Sequence, residues 1–135
     1  MKKFTFPLVV LLLFLLVSIS EAGSISYKCI IKHVYDVDDL GELKVSNFQN
    51  QFENNTFSVS VETGEINGEV LTTILANRTA VINSGSTKNS FKAIAEFEGQ
   101  IQLIEIQIFK DGKFKPFVAT SMGGAGLVTG TCSCN

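Results

Sequence analysis

With 135 residues, 11 basic side chains against 13 acidic ones and a formal net charge of −2, the chain has no basic run or stripe of the kind that a nucleic-acid partner requires. Its single histidine, His33, leaves little scope for acid–base or nucleophilic catalysis. A chain of this size can bury roughly two thirds of its unfolded surface, enough for one modest core.

Lys2 and Lys3 precede an apolar run from Pro7 to Val17 and then small residues ending Ser20-Glu21-Ala22. That order predicts a secretory signal peptide over 1–22, with small residues at the minus-three and minus-one positions of cleavage. The run is short for a membrane span, and no second long apolar run follows. Residues 23–135 are then a single exported β-domain, periplasmic or extracellular, of 135 − 22 = 113 residues. Removing Lys2, Lys3 and Glu21 from the 11 basic and 13 acidic residues leaves 9 and 12, a formal charge of −3.

The first strand is expected over Ser24 to Tyr35, where Ile25, Tyr27, Cys29, Ile31, His33 and Tyr35 alternate with Ser26, Lys28, Ile30, Lys32 and Val34. Asp36 to Glu42 reads as a polar turn. Ser46 and Gln49 have capping-box spacing, and Phe48 and Phe52 share a face at i and i+4, which predicts a single helical turn. Phe57, Val59 and Val61 alternate with polar residues, and Thr63-Gly64 turns the chain into a hairpin that would pair Val61 with Ile66, Val59 with Gly68 and Phe57 with Val70. Leu71 to Ala76 fits either the end of that return strand or a short helix, and Ala80 to Ile82 a short strand.

Phe91, Ala93, Ala95 and Phe97 alternate as the next strand, and Ile104, Ile106 and Ile108 as the one after. A loop over Glu98 to Ile101 would set Ala93 against Ile106 and Ala95 against Ile104, small opposite large. Asp111-Gly112 supplies the following turn. A three-residue loop with Gly112 left-handed would pair Ile108 with Phe114, Ile106 with Pro116 and Ile104 with Val118, giving one apolar face. Glycines 123, 124, 126 and 130 lack the setting of a nucleotide loop and read as a bend and close backbone packing before a terminal strand.

Seven or eight antiparallel strands joined by short turns predict an all-β fold, a small up-and-down β-barrel of lipocalin-like or calycin-like form, with a β-sandwich as the alternative. Cysteine usage fits export. Cys29 lies on the first strand and Cys132 on the last, so a bridge between them would join the two edges that a closed barrel must pair. Pairing of Cys29 with Cys134 stays open at this point. Otherwise Cys134 is the odd thiol near the C-terminus, able to stay reduced or to link two chains as a disulfide dimer.

Other patterns have plainer readings. Ser121 stands in Thr120-Ser121-Met122-Gly123 with no sequence hint of a base. Asp36, Asp38 and Gly41 match three positions of a calcium loop, but Leu40 and Asn47 occupy ligand positions. Carboxylate pairs such as Glu96 with Glu98 read as exposed strand residues rather than glycosidase acids. Asn54-Asn55-Thr56 and Asn77-Arg78-Thr79 are glycosylation sequons only in a eukaryotic host. No catalytic, cofactor-binding or metal residue is assigned.

The segments FSVSVETGEINGEV, GSTKNSFKAIAEF and KPFVATSMGGAGLVTGTC resemble recurring segments of uncharacterised short exported bacterial proteins. That resemblance implies a bacterial host and export, and no known activity. Ser26-Tyr27-Lys28-Cys29 with the late cysteine is also similar to the membrane-associated C-type lysozyme inhibitors, which are small disulfide-closed barrels. The chain has no tryptophan, and no inhibitory residue of that family is carried over. The expected function is a non-catalytic exported binding module for a protein loop or a small apolar molecule. A hydrolase inhibitor, of lysozyme for example, and an enzyme of unknown type are the alternatives.

Overall fold

The computed structural model describes residues 23–120 and 126–134, so the signal-peptide assignment, Ser121 and the glycines at 123 and 124 lie outside the described residues. The strands are β1 (Ser26–Val37), β2 (Leu43–Val45), β3 (Thr56–Ser60), β4 (Ile66–Gly68), β5 (Arg78–Ser84), β6 (Phe91–Phe97), β7 (Gln100–Ile106), β8 (Lys115–Thr120) and β9 (Gly126–Cys134). One helical turn, α1 (Gln49–Phe52), interrupts them. All nine strands belong to one antiparallel sheet, ordered β4-β3-β1-β9-β8-β7-β6-β5 with β2 added to β1, and the sheet curls into a half-barrel.

First and last strands do pair, from Tyr27 opposite Cys134 to Asp36 opposite Gly126. The Cys29–Cys132 disulfide joins residues directly opposite each other in that ladder. Closure fails elsewhere: among the described residues the main path of the sheet ends at β4 and β5, which are neighbours in sequence and do not pair, while β2 hangs from β1 off that path. The link between them explains the gap. It forms neither a return strand nor a helix; Leu71 enters the core, and Thr73 occupies the outer edge of β4. There the Thr73 hydroxyl accepts from the Ile66 amide at 2.9 Å, and the Thr73 amide donates to the Ile66 carbonyl at 2.9 Å.

Three hairpin registers differ from expectation. In the β3–β4 hairpin Val59 pairs with Ile66 and Phe57 with Gly68, and in β6–β7 Ala93 pairs with Ile104 and Phe91 with Ile106. Both are slips of two residues, which leave every side chain on its expected face. The β7–β8 register is off by one: Ile104 pairs with Ala119 and Ile106 with Phe117. The ladder stops before Ile108 could face Lys115, so Phe117 and Ala119 face inward instead of Phe114, Pro116 and Val118. Inside, the Phe117 ring packs edge-on against Phe57, with centroids 5.2 Å apart. The left-handed Gly112 is as expected, at φ 96°.

β1 changes face part-way along. Tyr27, Cys29 and Ile31 point into the core, but a bulge between Ile31 and His33 makes Val34 the next buried residue and turns His33 and Tyr35 outward. Gly130 lies opposite the bulge, where a Cβ would fall on the Ile30 carbonyl and the Phe117 ring. The bulge also breaks the ladder on the other side of β1, and Gln49 fills that gap. Its carboxamide accepts from the Val34 amide at 2.7 Å and donates to the Lys32 carbonyl at 3.0 Å. The expected capping box is therefore absent: Phe48, not Ser46, precedes the helical turn, and Gln49 serves β1 instead. The stacking of Phe48 on Phe52, with centroids 5.5 Å apart, is as the spacing predicts.

The concave face is filled. Tyr27, Phe57, Phe91 and Phe117 meet Ile31, Val59, Leu71, Ile104, Ile106 and the disulfide in one cluster, in which Phe91 and Ile106 have no exposed surface. Burial on this scale stabilises by roughly 1.5–3 kcal/mol per large side chain, which is how a small sheet offsets its ordering entropy.

Candidate interaction surface

Residue rows running across the strands define the outer face, because side chains of paired residues stand on the same side of a sheet. One such row is Val45 on β2, Tyr35, Leu127, Thr120, Leu103, Ile94 and Ala80 on β5, each paired with the next by register or by the continuation of its ladder. Between β7 and β8 the continuation is a hydrogen bond: the Leu103 amide donates to the Thr120 hydroxyl at 2.9 Å. Six interstrand steps make this a stripe about 29 Å long. Solvent-facing strand positions are ordinarily polar, yet Val45 is 65% exposed and Leu103 38%, with Ile101 and Ile82 exposed nearby.

The charges beside the stripe are mutually paired. Arg78 meets Glu96 at 2.6 Å on one side, and Lys92 approaches Glu105 at 4.0 Å on the other. Exposed pairs of this kind add about 0–1 kcal/mol to stability, but they leave the flanks of the stripe electrically neutral.

At the β2 end the stripe widens into a projecting hairpin. Val37 pairs with Leu43 on the same side as Tyr35 and Val45, and Leu40 at the turn is 84% exposed. Asp36, Asp39 and Glu42 are exposed around it. Asp38 holds the turn. Its carboxylate accepts from the Leu40 and Glu42 amides, each at 2.9 Å, and pairs with Lys44. The Lys44 ammonium, followed by those amides, holds the Asp38 carboxyl below the usual carboxylate range. The partial calcium-loop match is thus a hairpin turn whose acid is occupied by amides and a lysine. Groups of three or more His, Cys, Asp or Glu suited to a metal do not occur among the described residues.

The other singled-out residues are scattered. His33 is exposed on the outer face opposite Thr129, and its ring centroid lies 6.1 Å from that of Tyr35. Glu96 is taken up by Arg78. Cys134 lies outside the disulfide, exposed at the end of β9 opposite Tyr27. Burial raises the Tyr27 phenol above its ordinary range, and the neighbouring Cys134 adds to that shift. An open cleft of about 470 Å³ follows the β4–β5 gap, lined by Asn67, Thr72, Thr73, Asn77 and Arg78 among others.

Sequence reading missed the stripe because it depends on which residues stand side by side across strands. The available signal was a break in alternation: Ile101 and Leu103 have opposite parity to Ile104 and Ile106, so one strand carries apolar residues on both faces. No family model, curated protein or solved structure matches the chain.

Proposed function

We propose that the protein is an exported, non-catalytic binding module, with residues 1–22 as its signal peptide and 23–135 as a lipocalin-like barrel left open between β4 and β5. The partner is a protein that docks on the β1–β2 hairpin and the adjoining outer stripe. The observation that carries this is the apolar hairpin itself, in which Val37, Leu40, Leu43 and Val45 are all exposed. A filled concave face favours an outer docking surface over an apolar ligand held inside. The intramolecular disulfide and the expected leader support export. The acidic rim of Asp36, Asp39 and Glu42 favours a partner surface carrying basic residues.

A projecting tip with Leu40 at its point also favours the reading as an inhibitor of a basic hydrolase, lysozyme being one candidate. Cys134, exposed and outside the bridge, offers a route to a reducible dimer that Cys134→Ser would abolish.

A photo-crosslinking residue at position 43 is expected to capture a defined protein from the secreting cells' own medium, and the same probe at position 98 is not. Equal capture from both positions would remove the hairpin from the proposal. Turnover of an ester, glycoside or peptide that disappears in His33→Ala would replace it with an enzyme.

A further inference from the structure

A second region of the outer face, away from the hairpin, has the makings of a small-molecule site. Asn67, Ser58, Lys28 and Ser133 stand in one row across β4, β3, β1 and β9, paired in turn by register. Three interstrand steps make the row about 14 Å long. None of these four side chains hydrogen-bonds or ion-pairs with another described residue. They line an open cleft of about 460 Å³ whose remaining walls include Ile30, Thr56 and the Phe114 ring. Phe114 is 61% exposed, and the Lys113 ammonium lies 5.7 Å from its centroid. Cys29 is also in the lining; it is buried at 2% exposure and bridged to Cys132.

Charge selects the ligand. The chain is acidic overall, yet no carboxylate lines this cleft; Lys28 is in it, and Lys110, Lys113 and Lys115 surround Phe114 in sequence with Asp111 as the single acid between them. One ammonium with two hydroxyls and a carboxamide suits a monoanion; a phosphate dianion is better served by arginine forks or arrays of backbone amides. Ile30 and Phe114 add a flat apolar wall beside the polar row, the usual composition of a small-ligand site. We propose that this cleft binds an organic carboxylate with an aromatic or similarly flat apolar body. The carboxylate would sit on Lys28 with the Ser58 and Ser133 hydroxyls donating to it, and the body against Ile30 and Phe114. A free metabolite and the C-terminal end of a peptide share this chemistry.

N-acetylphenylalanine and its amide test the proposal, because they share the same body and differ in the head group, a carboxylate against a neutral carboxamide. Titrated into the 15N-labelled protein, the acid is expected to shift the amides of Lys28, Ser58 and Ser133 saturably, with the amide about tenfold weaker or worse. Lys28→Met should weaken the acid about tenfold and leave the amide unchanged, while Phe114→Ala should weaken both. Both positions are exposed, so an otherwise unchanged spectrum reports an intact fold. A short peptide ending in phenylalanine that binds more tightly than N-acetylphenylalanine would assign the source as a chain end, and one that binds no more tightly a free carboxylate. Equal affinity of acid and amide, no shift of these amides at about 10 mM acid, or unaltered acid binding in Lys28→Met would each overturn the proposal.

Discussion

The two halves of β1 do opposite things with the same kind of sequence. From Tyr27 to Ile30 the strand is paired on both sides, by β3 and by β9, and its inward residues include Tyr27, at 6% exposure, and Cys29, at 2%. From Val34 onward β9 still pairs with it, but the other partner is the short strand β2, all three of whose residues are exposed. Both halves are apolar. What separates them is the bulge, which turns the odd-numbered residues from the core to the outer face between Ile31 and His33. One half anchors the sheet; the other lifts an apolar hairpin into solvent.

The largest effect should come from the anchoring half. The disulfide closes a separation of 103 residues, and losing a native bridge in a small domain costs about 2–5 kcal/mol. Cys29→Ala/Cys132→Ala is therefore expected to lower the urea midpoint substantially while hydrogen exchange in the β1–β2 hairpin, already exposed, changes least. Uniform loss of protection across both halves would show that they are not separable.

At the bulge, Gly130→Ala should cost about 1–3 kcal/mol, because the added methyl meets the backbone carbonyl of Ile30 as well as the flexible edge of Phe117. A denaturation midpoint equal to that of the parent would mean that the strands can part there without penalty. Gln49→Ala should cost less, about 1 kcal/mol, since water can reach part of the gap that its carboxamide fills. Gln49→Glu separates the two bonds: it keeps an acceptor for the Val34 amide but faces the Lys32 carbonyl with no donor. Faster amide exchange at Val34 in Gln49→Ala than in Gln49→Glu is the expected signature.

This contrast was only half legible in the sequence. Strand existence came through because Phe57, Val59, Phe91, Ala93, Ile104 and Ile106 alternate, and the facing cysteines came through because the compartment and the two chain ends pointed the same way. Register did not. A slip of two residues in β3–β4 and β6–β7 leaves the apolar pattern equally satisfied, so periodicity is blind to it. In β7–β8 the pattern misled: Phe114, Pro116 and Val118 form an apolar set, but so do Phe117 and Ala119, and only the second supplies an aromatic ring to Phe57. The bulge at Lys32 left no local mark, since Ile31, His33 and Tyr35 keep alternating through it. Gln49 looked like half of a capping box because its real partner is fifteen residues away in sequence. The candidate surfaces inherit this limit, being rows across strands rather than runs along them.

The smallest effect concerns the projecting half alone. Asp38 holds the hairpin turn through two amides and Lys44, and all three act on its charged form, so its carboxyl is depressed below the ordinary aspartate value of about 3.9. A group whose folded value lies below its unfolded one contributes stability that is fully present above the unfolded value and is lost as the pH falls through the folded one. The turn should therefore persist at neutral and mildly acidic pH and loosen only in strong acid. Because Asp38 lies in the turn of a hairpin whose second strand is wholly exposed, the effect belongs to the hairpin and not to the midpoint of global unfolding. A carboxyl NMR titration should find Asp38 titrating below the ordinary aspartate range, and Lys44→Met should move it upward while the β1–β9 amides stay unchanged. An Asp38 midpoint that ignores Lys44→Met would mean the amides hold the turn unaided, and the hairpin would then keep its shape on any partner that captures the lysine.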